Sequence, residues 1–235
     1  MKELLYGIWC FLLYVIPAAG LAFGARWLLK VPDELFRKIL HFILLGCYIP
    51  VLLAFRTWWI AVEFALLVIV IFYPVLALAG RIPAFSSFVN ERSRGEFKNS
   101  LILALSVMAV SISVCWGIFG DKWLVLACIY AWGVGDGFAA LVGKRYGRHK
   151  IRLPFADGRK SVEGSAAMFV CSVLSVLAVL LLRGGLEFWK CGLIAVAAAA
   201  VTTFVELCTR GGNDTVTCPA AAMLVILPLI KLLGG

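Results

Sequence analysis

Trp123-Leu-Val-Leu-Ala-Cys-Ile-Tyr-Ala-Trp-Gly-Val-Gly-Asp136-Gly-Phe-Ala-Ala-Leu-Val142 is apolar from end to end apart from one carboxylate. A helix needs about 20 such residues to cross a hydrocarbon layer about 30 Å thick, so the run reads as a membrane span. Seven further runs of the same kind lie at Leu4–Ala25, Ile39–Phe55, Trp58–Ala79, Leu101–Phe119, Ser165–Leu182, Trp189–Cys208 and Val216–Leu233. Short charged segments separate them in a chain that is 63% hydrophobic and 15% charged. Membrane-spanning strands would alternate apolar and polar residues over about ten positions, and no such alternation occurs. The expectation is an all-α, polytopic integral membrane protein of about eight transmembrane helices, forming a single membrane-embedded domain over residues 1–235.

With eight spans, both termini share one side of the bilayer. The opposite side then carries sixteen of the 22 Lys and Arg residues. Cytoplasmic loops are enriched in these cations, so the cation-rich face is expected in the cytoplasm and both termini outside. The net charge of +9 is accounted for by juxtamembrane loops lying on anionic headgroups, which makes membrane lipids, and not nucleic acid, the expected partners. Eight cysteines without a Cys-x-x-Cys pair read as buried apolar side chains rather than zinc ligands or redox centres. Ala18-Ala19-Gly20 resembles a signal cleavage site, but Glu3 beside Lys2 weakens the basic start such a signal needs, and an uncleaved first helix is expected.

The chemistry-bearing residues gather at the cytoplasmic ends of these spans. Asp136 lies about six residues, or about 9 Å, below the end of its span, where a charge needs a partner or a bound cation. Gly133, Gly135 and Gly137 flank it, and their missing side chains admit either a ligand or a neighbouring helix. Gly143-Lys144-Arg145-Tyr146-Gly147 and Gly158-Arg159-Lys160-Ser161 combine glycines, cations and a hydroxyl in the manner of phosphate-cradling loops, although the Walker A spacing is absent. Glu206 ends the seventh span, and Asn213-Asp214 follow Gly211-Gly212 in the next loop. At the mouth of the second span, His41 follows Asp33, Glu34, Arg37 and Lys38; it is either substrate-facing or a packed, hydrogen-bonded histidine.

Four blocks carry a resemblance: Asp33-Glu-Leu-Phe-Arg-Lys-Ile-Leu-His41, Gly135-Asp-Gly-Phe-Ala-Ala-Leu-Val-Gly-Lys-Arg-Tyr-Gly147, Lys160-Ser-Val-Glu-Gly164 and Asn213-Asp-Thr-Val-Thr-Cys-Pro219. Together they resemble the family of dolichol kinases, phytol kinases and CTP-dependent diacylglycerol kinases. The last block departs from the Asp-Asn-Leu-Thr-Val-Pro common in that family, and the chain lacks the extra N-terminal spans of long dolichol kinases, which implies a short, phytol-kinase-like or bacterial form. The resemblance implies an enzyme of the bacterial inner membrane, or an equivalent internal membrane, that moves the γ-phosphoryl group of CTP to a lipid alcohol of polyprenol, phytol or diacylglycerol type. It implies magnesium on Asp136, Asp214 and Glu206, and a nucleoside triphosphate held by Gly137, Lys144, Arg145, Lys160, Ser161 and Asn213. Asp136, His41 and Asp214 become the catalytic candidates, with His41 or a carboxylate taking the hydroxyl proton.

The alternative enzyme is a phosphatidate cytidylyltransferase, whose Lys-Thr-Trp-Glu-Gly resembles Lys160-Ser-Val-Glu-Gly164; its Gly-His-Gly-Gly…Asp-Arg-x-Asp ending is missing here. A transporter would want polar groups near the midplane rather than at one face. A homo-oligomer is left open by the sequence.

Overall fold

The computed structural model describes residues 2–82, 95–151, 160–209 and 212–234. Among these, nine α-helices form and no strand beyond one isolated bridge. They are α1 (Lys2–Leu29), α2 (Asp33–Gly46), α3 (Tyr48–Ala54), α4 (Trp58–Ala79), α5 (Glu96–Ser111), α6 (Lys122–Tyr146), α7 (Val162–Arg183), α8 (Phe188–Cys208) and α9 (Asp214–Leu232). A π-helical segment, Ile112–Ile118, prolongs α5. With α2 and α3 counted together and α5 counted with its π segment, eight spans are long and apolar enough to cross a membrane, as the hydropathy predicts.

The second span differs from its sequence reading in two ways. It starts at Asp33 rather than Ile39, and it is interrupted at Cys47. Pro50 has no N–H to offer the carbonyl four residues back, so the break falls where the ladder would lose that bond.

The chain divides into two compact units, residues 1–113 and 114–235. In the first, Phe64 of α4 meets Phe11 of α1 at 5.2 Å and Phe55 at 5.3 Å. The Glu3 carboxylate accepts the backbone N–H groups of Arg56 and Thr57 at 2.7 and 2.9 Å, satisfying donors exposed where α4 begins. Arg26 pairs with Asp33 at 3.1 Å across the turn between α1 and α2 and lies 4.4 Å from the Phe36 ring centroid. Glu34 reaches Arg37 at 3.8 Å, one turn along α2.

In the second unit α6 is the central element, half buried by its neighbours along its span, against 11% for α1 in the first unit. It packs on α7, α8 and α9. Its closest neighbour is α7, and the contact is made by residues without bulk. A Cβ added at Gly135 would stand 2.3 Å from Ser172 Oγ and 3.0 Å from the Met168 carbonyl oxygen. Without a hydrophobic drive between helices in lipid, such close backbone approach is what van der Waals packing requires. The other end of the pair is fixed by Asp121, which caps α6 by accepting the Trp123 N–H at 2.8 Å and pairs with Arg183 Nε at 2.5 Å.

Gly135→Val is therefore expected to lower stability by about 1–3 kcal/mol through overpacking. Gly20→Ala, with nothing within 4 Å of the new methyl, should be neutral or stabilise by about 0.5–1 kcal/mol through helix propensity. Melting temperatures of the two variants in one detergent check the pair.

Candidate functional site

The basic segment after Asp136 has a different backbone from the one read in the sequence. Gly143 to Tyr146 is the last turn of α6, not a loop, because the helix continues four residues past the hydropathic end of its span. Asp136 consequently stands ten residues, or about 15 Å, before the helix end. Gly143 and Gly147 pack against the start of α7: a Cβ on either would meet Ser161 Oγ, at 3.3 and 2.6 Å. Lys144 and Arg145 are exposed on this turn, where cations suit the negative end of the helix dipole, and Arg145 lies 5.3 Å from the Tyr146 ring centroid.

Ser161 is buried at 3% exposure, and its hydroxyl is committed to the fold. It is the N-cap of α7 and accepts the Gly164 N–H at 3.2 Å. Gly164 in turn packs against α6, where a Cβ would stand 3.0 Å from the Ala139 carbonyl oxygen. The Lys-Ser-Val-Glu-Gly block is thus a helix start fitted against the glycines of α6. Its stem is closed by Ile151 N–H to Lys160 O at 3.0 Å, by Val162 N–H to His149 O at 2.9 Å, and by Glu163 against His149 Nδ1 at 2.7 Å. Gly158 and Arg159 lie outside the described residues.

Lys160 turns toward α8. Its ammonium pairs with Glu206 Oε1 at 2.9 Å and donates to the carbonyls of Glu206 and Thr209, the latter at 3.1 Å. A cation here suits the carbonyls at the negative end of the helix, of which that of Glu206 also accepts the Thr209 N–H at 3.1 Å. The two side chains are 17% and 13% exposed, so the pair is largely withdrawn from solvent. The residue read as a phosphate ligand and one of the three read as metal ligands therefore meet each other.

Around this pair the other carboxylates gather from separate helices. Glu206 is coupled electrostatically to Asp136 of α6 and to Asp214, the first residue of α9. Asn213 is the residue before that helix, and Asp214 in its first turn complements the positive end of the dipole. Beneath them Trp132, Met168 and Cys218 form a buried apolar layer with Ala139 and Val205. Cys218 lies one turn below Asp214 and Trp132 one turn below Asp136, so the acids sit on an apolar floor. Gly137 is buried on α6 beside Asp136. His41 belongs to α2 in the first unit, half-buried with its ring centroid 5.8 Å from that of Phe42.

Among the described residues, no group of three His, Cys, Asp or Glu side chains is disposed to hold a metal ion by itself. A metal ion held here would need substrate phosphates or water to complete its shell. Asp136 and Asp214 supply two carboxylates, while Glu206 is engaged by Lys160.

Sequence reasoning missed Glu3, Asp121 and Arg183 as structural contacts, and Ser161 as a cap. An Asp or Ser immediately before an apolar run is a helix-start signal that would have found Asp121 and Ser161; nothing local marks Glu3 or Arg183.

The chain is 30% identical to the phytol kinase of Synechocystis sp. over 201 residues, which are 83% of this chain and 78% of that protein. It is 30% identical to a probable chloroplastic phytol kinase of Triticum aestivum over 146 residues, 59% of this chain and 47% of that one. Against the probable chloroplastic phytol kinase 2 of Glycine max it is 36% identical over 104 residues, 41% of this chain and 35% of the other. The chain thus spans less than half the length of each of these plant proteins. No family model and no solved structure matches it.

Removing one partner of a withdrawn ion pair leaves the other charge stranded, so Lys160→Met is expected to cost about 3–5 kcal/mol. Lys160→Met with Glu206→Gln should recover part of that loss, because no carboxylate is then left uncompensated. A double-mutant cycle in thermal stability measures the coupling.

Proposed function

The chain belongs to the phytol kinase family, and from that premise we propose that it transfers the γ-phosphoryl group of CTP to the hydroxyl of a membrane lipid alcohol, at the cytoplasmic face of the membrane. The names of its relatives favour phytol as the alcohol. The observation that carries the reading is the convergence of Asp136, Glu206, Asp214 and Lys160 from three helices and a helix entry within a unit built of membrane-length apolar helices. Charges in a span are costly and rare, and a cluster of them in a lipid-embedded unit points to substrate handling.

In the proposed reaction the lipid oxygen forms a bond to the γ-phosphorus, and the bond from that phosphorus to the β–γ bridging oxygen breaks, releasing CDP. The hydroxyl proton passes to a carboxylate of the cluster. Asp136 and Asp214 would hold magnesium, which when bound supplies charge neutralisation on the transferring group. Lys144 and Arg145, at the exposed end of α6, would meet the nucleotide phosphates, and Lys160 would join them by exchanging Glu206 for phosphate oxygens. Ser161, Gly137 and Asn213 act by shaping the backbone around these groups. The apolar floor of Trp132, Met168 and Cys218 keeps water from the acids from below, which strengthens every charge interaction above it.

Purified protein given phytol and CTP labelled separately at the α and γ positions should move only the γ label to lipid; α-label transfer would instead indicate cytidylyl transfer. Asp136→Asn should reduce that transfer on the order of 10³-fold while the unliganded melting temperature holds or rises, because a partly buried charge is gone. A destabilised but active variant would remove Asp136 from the site. The cytoplasmic placement of this face requires a cysteine appended after Gly235 to be labelled only from outside in sealed vesicles.

A further inference from the structure

A groove of about 420 Å³ runs between α7 and α8, within the 300–1,000 Å³ typical of small-molecule sites. Val162 and Phe169 line it from α7, and Ala200, Thr203, Phe204 and Leu207 from α8. From Ala200 to Leu207 the α8 wall extends about 10 Å, a third of the hydrocarbon thickness. It is apolar and open sideways: Phe204 is 60% exposed, on a helix long enough to span a membrane. Its occupant therefore comes from the bilayer and not from water.

Two features say which bilayer component it is. One end of the groove lies within a helical turn of paired charges along the helix axes, since Val162 comes two residues after Lys160 and Leu207 directly follows Glu206. Near that end the Thr203 hydroxyl is buried without a hydrogen-bond partner, about one helical turn below Glu206. An orphaned hydroxyl costs stability until a partner reaches it, and an acyl tail offers none. An alcohol oxygen at the end of a hydrocarbon chain does.

We propose that the α7–α8 groove holds the chain of the acceptor alcohol and delivers its hydroxyl to the Lys160–Glu206 end of the cluster. This rests on the kinase reading above, whose acceptor it places. The chain enters laterally from the lipid phase, and the portion nearest the hydroxyl is the portion gripped. Discrimination between alcohols then depends on the shape of their first carbons against Phe169, Ala200 and Phe204, and much less on total length.

The test uses the whole protein in lipid nanodiscs and a phytol analogue carrying a photoactivatable diazirine near its hydroxyl. Adducts should concentrate on segments 162–169 and 200–207 and disappear with excess phytol. Ala200→Trp, which fills the groove, should raise KM for phytol about tenfold, as loss of roughly 1.4 kcal/mol of binding would. Val70→Trp, on an exposed face of α4, should leave KM unchanged. Competed labelling of the groove in a protein that phosphorylates no alcohol would retire the kinase reading and keep the groove as an alcohol site. Phosphoryl transfer with labelling spread over many lipid-facing helices, with labelling competed by phospholipid but not phytol, or with an unchanged KM in Ala200→Trp, would overturn the groove and leave the kinase reading standing.

Discussion

The close contact between α6 and α7 is the constraint on which the second unit depends. In lipid, two apolar helices gain nothing from hiding apolar surface, so they associate only if their backbones come near enough for dispersion and weak polar contacts to accumulate. Gly135 and Gly143 on α6, and Gly147 directly after it, allow this, facing Met168, Ser172 and Ser161. Gly135, next to Asp136, thus brings a second helix against the one that carries the carboxylate. With α7 so placed, Lys160 at its entry falls beside the end of α8, and the ion pair with Glu206 follows.

A second constraint is the cost of charge inside a bilayer. It is met by confining carboxylates to helix ends or to depths from which they reach a partner. Asp214 has the N-terminus of α9, Glu206 has Lys160, and Asp121 has both Arg183 and a backbone N–H. Apart from Asp136, ten residues inside α6, these groups lie at the two ends of the helices of the second unit, with Trp132, Met168 and Cys218 forming a buried apolar cluster between them.

Most of the fold was legible because a span is a long signal: twenty apolar residues cannot be mistaken for a loop, and all eight runs became helices. What the hydropathy could not locate were helix ends carrying charge. Lys144 and Arg145 are polar by composition, yet helical, because a helix that leaves the hydrocarbon layer continues while its backbone bonds are satisfied. The break at Cys47 was hidden for the opposite reason, since Pro50 lies in a run of uniformly apolar residues. Asp136, Glu206, Asp214 and Lys160 could be assigned to one face from span counting alone, but that Lys160 meets Glu206 could not, because the partners are 46 residues apart and packing alone joins them. Ser161 reads as a ligand in the sequence because a hydroxyl beside glycines and lysine serves a cap and a phosphate equally well; in the structure it is buried and caps α7. His41 lies in the other compact unit, and its role rests on the resemblance.

The Asp121–Arg183 pair at one end of α6 and α7, and the Ser161 cap wedged among glycines at the other, make these two helices a strut braced at both ends. Asp136 rides near the middle of that strut and has little freedom to adjust. Asp214 is mounted differently, on the first turn of a helix that is entered through a short loop with a left-handed glycine, Gly212. The two carboxylates thus differ in mounting: one is a fixed reference within a braced helix, the other stands on the first turn of a helix that begins beside it.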